Sequence, residues 1–435
     1  MSIRLRVRPT ATDRRADKPA GPMRRVMGLR DFRLLFAGTG TSLLGDQFAL
    51  IATPWLVLQL TGDPLALGIV LALEGIPRAA FMLIGGAVTD RIASRMVMLV
   101  ADVVRLVLTA VMAVVVLTGA VEMWMVYGFA LGFGLVAGFA IPAENSIVPM
   151  LVPDDDLQAG NSLIMGITQL AGFVGPSLAG MAIAGFSRSA SGIGIAFLID
   201  ALTFAVSTGC LWLITGARRV EDDNPGVSLW ASIGEGIGYL WRDDGLRLML
   251  VILVAVNFLV VGPLLVGIPV LSHERLPQGA MAFGLLMGAF SVGNLIGYLV
   301  AGSLGRPSGR TIRALIVGLL AAFGVVIGSL GLIANMWLDF GLLLMLGLGH
   351  GYLAIILFTW IQGHVTRGML GRTMSLITFS SLGLVSVSQT VSGAVGRWDL
   401  DVLFVGAGGL VMAVTAWVAA RPGLRVLSES LAGGE

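Results

Sequence analysis

The chain has 435 residues, 56% of them hydrophobic and only 12% charged, with a mean hydropathy of +0.90 and a formal net charge of +2. Soluble domains carry about 25% charged residues, so a soluble fold cannot hide this much apolar surface, and lipid must be the solvent for most of it. A single cysteine, Cys210, excludes an intramolecular disulfide and a thiolate metal cluster.

In chain order, residues 1–27 are basic and lack an apolar core. They read as a disordered cytoplasmic tail rather than a cleavable signal peptide. A helix needs about 20 apolar residues to cross a bilayer. Runs of that kind predict spans at 34–60, 66–88, 96–118, 123–151, 159–185 and 192–215. After the polar stretch 217–245 come 247–271, 281–304, 312–334, 338–362, 369–395 and 401–420. The expected architecture is all-α: twelve transmembrane helices in two six-helix halves, 28–216 and 246–421. A cytoplasmic linker at 217–245, with a short amphipathic helix near 228–241, joins them, and a cytoplasmic tail follows at 422–435.

Basic residues orient the spans. With both termini inside, 23 of the 28 arginines and lysines are cytoplasmic, and outside loops hold only Arg188, Arg275 and Arg397. Both termini are therefore expected in the cytoplasm, in a multi-pass protein of the cell inner membrane. An internal repeat supports the division into halves. Residues 65–91 align with 281–307 at an offset of 216, placing Gly68 on Gly284 and Gly86 on Gly302. The stretch 157–163 aligns with 370–376 at an offset of 213. Sixty glycines suit helices whose backbones pack closely in lipid.

Three motifs carry a family resemblance. GGAVTDRIASR at 85–95 places Asp90, Arg91 and Arg95 in a loop after Gly86. AGFVGPSLAG at 171–180 contains Gly172, Gly175, Pro176 and Gly180, and PAENSIVPMLVPDDDLQAGNSL spans 142–163. Over residues 28–425 the chain resembles the major facilitator superfamily, and within it the macrolide-type and siderophore-type drug:proton antiporters. The resemblance implies that Gly86, Asp90, Arg91 and Arg95, with Asp102 and Arg105 nearby, form a conformational latch. It also implies that the Gly175–Pro176 segment is an antiporter-motif kink, flanked by small residues that let a facing helix sit close. Two departures stand out. Alanines replace two motif glycines, and Arg306 stands where the second half would repeat Asp90. The bland alternatives are a positive-inside loop and an ordinary packing kink.

Acids inside a bilayer are costly and therefore functional candidates. The first six spans hold Asp46, Glu74, Asp102, Glu144 and Asp200, and the second six are read as free of acids. Asp46, mid-span beside Gln47, is either a protonation or substrate contact or an acid satisfied by polar neighbours. Glu74 and Arg78 share one helix face as an i,i+4 pair, either structural or breakable. Asp102 and Arg105, at i,i+3, read as a structural pair near the loop. Glu144 and Asp200 are open between cavity-facing and packing roles. His350 reads as a packed histidine bonded to backbone, and Trp55, Trp124, Trp212, Trp241, Trp337, Trp398 and Trp417 as interfacial anchors.

No lysine follows a glycine, which excludes a phosphate-binding loop, and there is no HExxH. No enzyme activity, cofactor, metal or nucleic-acid partner is expected. The expected function is export of an amphipathic small molecule by alternating access in exchange for protons, from a monomer, as the resemblance implies. The alternatives are a lysophospholipid translocase or a nutrient symporter of the same fold.

Overall fold

The computed structural model describes residues 21–185, 191–215, 241, 243–303, 308–365 and 367–431, and every regular element among them is helical. A short helix α1 (Pro22–Gly28) precedes α2 (Arg30–Thr61), α3 (Pro64–Arg91), α4 (Ser94–Leu117), α5 (Met123–Leu151), α6 (Leu157–Gly185) and α7 (Ser191–Leu213). Then come α8 (Asp244–Glu274), α9 (Ala280–Ser303), α10 (Gly309–Leu332), α11 (Met336–His364), α12 (Arg367–Gly396), α13 (Leu400–Ala420) and α14 (Gly423–Leu431). Eleven helices among the described residues are long and apolar enough to cross a membrane. Helix α12 has 30 residues and is not counted among them, because many side chains of its first half lie outside the described residues.

Helix α4 shows why these segments fold as they do. Val100, Val103, Val107, Val111 and Val114 form an exposed stripe at helical spacing, while Asp102, Arg105 and Thr109 are buried on the opposite face. An apolar outside and a polar inside is the arrangement that lipid as solvent rewards. With no hydrophobic drive between helices, contact depends on backbones approaching at small residues. Gly134 of α5 lies so close to the backbone of Glu74 that a Cβ there would collide with it, and Gly138 is equally tight against Arg78 and Phe81 of α3.

The loops after α2, α8, α10 and α12 meet on one face, here termed far. Arg397 reaches Asp63 (3.7 Å), and Arg275 reaches Asp401 (2.5 Å) and the Gly331 carbonyl (2.9 Å). At the near face, Arg95 caps the end of α7, and Asp243 meets His364 (3.1 Å). Two helix pairs close tightly toward the far face: α3 with α12, at Gly68 against Gln389 and Gly393, and α6 with α9, at Gly180 against Gly284. Nearer the other face, Gly86, Gly172, Gly302 and Gly383 of the same four helices meet nothing within 4 Å. These pairs touch at one end and part at the other.

Helix α8 carries a π turn at Asn257–Val261. Pro263 lacks the N–H that would bond to residue 259, and its ring crowds that carbonyl, which widens the turn before it. The side-chain amide of Asn257 donates to the Leu253 carbonyl (2.9 Å) and holds the distortion.

The ends correct the sequence reading. Residues 22–28, expected within a disordered tail, form α1, because Val26 is fully buried and Arg25 forks onto Asp156 through Nε (3.1 Å) and Nη2 (2.5 Å). The 422–435 tail contains α14, whose Leu424 and Leu427 are buried where it packs on α8 and α10. The amphipathic helix expected at 228–241 lies outside the described residues, apart from residue 241. Trp55 is buried against His273 at 5.3 Å between ring centres, so it is not an interfacial anchor. Trp124, Trp212, Trp241, Trp337, Trp398 and Trp417 are exposed.

The Arg25 fork holds the Asp156 carboxyl below the usual carboxylate range. A depressed folded-state value gives a contribution that is present above the unfolded value of about 3.9 and lost as pH falls through the folded one. Docking of α1 on α6 should therefore be constant from pH 8 to about 5 and loosen in stronger acid. A spin-label distance from Met23 to Ser162 should show this, and Asp156→Asn should loosen α1 already at pH 7.

Candidate functional site

Four of the five acids singled out in the first six predicted spans line one cavity, and the fifth lies beside it. A cavity of about 310 Å³ lies between α2, α3, α4, α5 and α7, at the small end for ligand pockets. Helix α2 contributes Asp46 and Gln47, α3 Glu74 and Arg78, α4 Asp102 and Arg105, α5 Phe133 and Glu144, and α7 Ser207. Asp200 of α7 is fully buried beside it, against Gly45. That glycine is required there, because a Cβ would overlap Thr203 and the Asp200 carboxylate.

Arg105 organises the site. Its Nη1 lies 3.5 Å from Glu144, and its guanidinium stands over the rings of Phe133 (5.5 Å) and Phe204 (5.7 Å). Asp46, Asp102 and Asp200 are all within its electrostatic reach. Two aromatic faces hold a planar cation in place and shed water from it, which strengthens its pull on nearby carboxylates. Asp102 accepts a 2.6 Å hydrogen bond from Ser207, and Glu74 pairs with Arg78 at 3.6 Å.

Charge and hydrogen bonding are both unbalanced. Five carboxylates face two guanidiniums, so full ionisation would leave three uncompensated negative charges in a low-dielectric space. Asp46 Oδ1, both Asp200 oxygens, Arg78 Nε and Arg105 Nε are buried without a protein partner. Orphaned buried groups of this kind cost about 1–3 kcal/mol each, so such an arrangement persists where protons, water or a ligand complete it.

The structure brings Asp46, Glu74, Arg78 and Glu144 to one cavity and places Asp200 behind them. It also moves Asp102 and Arg105. Expected to pair with each other near the latch loop, they bond instead to Ser207 and Glu144 within the cavity. Arg95 donates to the carbonyls of Leu211 (2.8 Å) and Trp212 (2.7 Å), capping the C-terminus of α7, where a cation suits both orphan carbonyls and helix dipole. Gly85, not Gly86, makes the close approach, against Gly138 and Phe139. The side chains of Asp90 and Arg91, and all of Arg306, lie outside the described residues.

In the kink motif, Gly175 abuts Gln47 of α2 and Gly180 abuts Gly284 of α9, whereas Gly172 faces open space. Helix α6 runs through Pro176 without interruption. The second six spans are not free of acids. Asp339 is fully buried in the first turn of α11, and Asp401 begins α13 paired with Arg275. Both stand at helix N-termini, where negative charge is favoured. His350 bonds to the Asn294 side chain rather than to backbone. Sequence reasoning missed Ser207 and the Phe133–Phe204 ring pair beside Arg105. Ser207 follows Asp200 by seven residues and so shares its face, a usable signal. Nothing marked the two phenylalanines among the nineteen in the chain.

The sequence pattern of the Major Facilitator Superfamily matches residues 35–388. Multidrug efflux pump Tap of Mycolicibacterium fortuitum is 25% identical over 79% of this chain and 83% of its own length. Macrolide efflux protein A of Streptococcus pyogenes is 22% identical over 69% of this chain and 73% of its own. Among solved structures, a point mutant of the nucleoside transporter NupG superposes with a TM-score of 0.71 at 11% identity, covering 90% of this chain and 99% of its own. A bacterial homologue of the human lysosomal transporter Spinster, inward-facing and unoccupied, superposes at 0.67 with 12% identity, covering 96% and 99%. The two superpositions speak for the fold.

Removing one member of a buried ion pair strands the other. Arg105→Gln should destabilise the purified protein by about 3 kcal/mol, the lower end of the range because Glu144 keeps some exposure. Arg105→Gln combined with Glu144→Gln should recover more than half of that loss. Thermal unfolding in detergent checks the cycle, and simple additivity of the two losses would deny the coupling.

Proposed function

The chain belongs to the major facilitator superfamily, and from that premise we propose that this transporter exports amphipathic small molecules in exchange for protons by alternating access. The observation that carries the reading is the charge imbalance at the cavity: four lining carboxylates, with Asp200 buried behind them, against two arginines. A proton and a cationic or strongly polarised substrate both relieve the same excess negative charge. Whichever binds first weakens the other, and by linkage this mutual exclusion is what exchange requires. The efflux functions named for the Mycolicibacterium and Streptococcus relatives support the outward direction.

The architecture we propose is twelve spans in two six-helix halves, 28–216 and 246–421, with α12 as the twelfth span. Helix bounds that recur along the chain support it: Pro64–Arg91 is followed 216 residues later by a helix starting at Ala280, and Met123–Leu151 is matched 213 residues later by Met336–His364. The two tight pairs, α3 with α12 and α6 with α9, then become equivalents across the halves, since Gly68 and Gly284 correspond in the repeat. A polar α12 suits a span that faces its partner half and a water-filled path rather than lipid. Closure at the far face with parted near ends supports a state open toward the near face. With both described ends of the chain on that face and basic residues concentrated there, the near face is the cytoplasm. A monomer in the cell inner membrane suffices for this mechanism. Asp46 is the proposed proton carrier, with Asp200 behind it and Arg105 alternating between Glu144 and the three aspartates as protons come and go.

Purified protein in liposomes under an imposed pH gradient should accumulate a lipophilic cationic dye, and Asp46→Asn should reduce the gradient-driven rate by at least about tenfold while dye binding persists. Transport that ignores the gradient in folded wild-type protein would refute proton exchange.

A further inference from the structure

The seam that builds the charged cavity has a second copy elsewhere in the molecule. In the first, Gly134 meets the backbone of Glu74 and Gly138 that of Arg78; in the second, Gly347 meets the backbone of Phe290 and Gly351 that of Asn294. Phe290 and Asn294 lie 216 residues beyond Glu74 and Arg78, the displacement of the sequence repeat. Gly347 and Gly351 lie 213 beyond their counterparts, the displacement of the matching helix bounds. The same displacement puts His350 in the place of Ala137. Arg78 and Ala137 both line the charged cavity, so Asn294 and His350 occupy the corresponding inward-facing positions of α9 and α11.

The chemistry of the second copy is different. A nearby gap between α8, α9 and α11, lined by Met287, Phe290 and Leu343, holds only about 20 Å³ and is not lined by Asn294 or His350. What remains polar is one pair: His350 Nδ1 lies 3.3 Å from Asn294 Oδ1, with the Phe290 ring 5.6 Å from the imidazole. With Oδ1 accepting, Nδ1 carries the proton. That leaves imidazole Nε2 as an acceptor and the Asn294 amide as a donor, and neither has a protein partner among the described residues. Both side chains keep partial exposure, and neither of these atoms is among the fully buried unpartnered ones. A donor and an acceptor side by side match a hydroxyl group, which offers both.

We infer that His350 and Asn294 form a hydrogen-bonding subsite for hydroxyl-bearing substrates, with Phe290 as its apolar wall. The inference rests on the export reading and deepens it: one copy of the repeated seam handles charge, and the other reads neutral polar groups. Losing one neutral hydrogen bond should weaken binding by about threefold to tenfold.

The test is equilibrium binding to the purified protein of two probes: erythromycin, rich in hydroxyls, and tetraphenylphosphonium, a lipophilic cation with no hydrogen-bonding group. His350→Leu and Asn294→Leu should each weaken erythromycin binding by about threefold to tenfold and leave the cation unchanged, while His350→Gln should retain most of the affinity. Thermal unfolding confirms that each variant is folded, and His350→Gln carries the comparison if the leucine variants are not. Unchanged erythromycin binding in the variants, equal weakening of both probes, or a wild type that binds only the cation would each overturn this subsite. A wild type that binds neither probe would instead count against the export reading itself.

Discussion

A buried guanidinium packed against two touching aromatic rings, in a bundle whose outer solvent is lipid, is the interaction on which the rest of this structure depends. Arg105 cannot leave the interior without dragging charge past the valine stripe of α4, and inside it has the touching rings of Phe133 and Phe204 beside it and Glu144 in ion-pair reach. Its fixed charge sets the potential that Asp46, Asp102 and Asp200 experience. The helices conform to that centre. Gly45 admits Asp200, Gly134 and Gly138 bring α3 and α5 into backbone contact, and Arg95 pins the end of the helix that carries Asp200 and Ser207. Small residues supply the proximity and the charges exploit it.

In the proposed two-half architecture, repetition followed by divergence explains how one fold would hold two kinds of site. Glycines at matching places keep the helix contacts alike, because any side chain there would collide with backbone. The residues between them are free to differ, so Glu74 and Arg78 on one side correspond to Phe290 and Asn294 on the other. A charge-handling copy beside a largely apolar one also limits the cost of buried charge, since the surplus of acids is confined to the first and Asp339 alone is buried without a protein partner among the described acids of the second. The same logic reaches the tight pairs at the far face. Gly68 and Gly284 each meet a partner backbone, and the helices diverge beyond them, so contact at one end is compatible with space at the other.

Much of the fold was legible because lipid imposes a one-dimensional rule on sequence. The predicted spans 123–151 and 401–420 fall on α5 and α13 to within a residue, and the other starts lie within about four residues of the observed helices. The acids were legible for the same reason, since Asp46, Glu74 and Glu144 are conspicuous in apolar runs. Partners were not. Asp102 and Arg105 are neighbours in sequence, yet α5 and α7 offer each a better counter-group, and which helices adjoin is not written in hydropathy. Arg95 looked like a loop charge because helix-end carbonyls from 116 residues away leave no local trace. Trp55 looked like an anchor because position near a span end does not reveal that His273 covers it. Asp339 and Asp401 were overlooked because an acid at the first turn of a span is stabilised by the helix end and needs no function.

The central claim is that protons and substrate compete for one excess of negative charge. Proton release on substrate binding tests it most directly: purified protein in weak buffer, a pH indicator, and titration with a lipophilic cation near neutral pH. The account predicts release of about one proton per cation bound, diminishing when Asp46→Asn removes a carboxylate. Saturable binding of the cation with no proton released would contradict it.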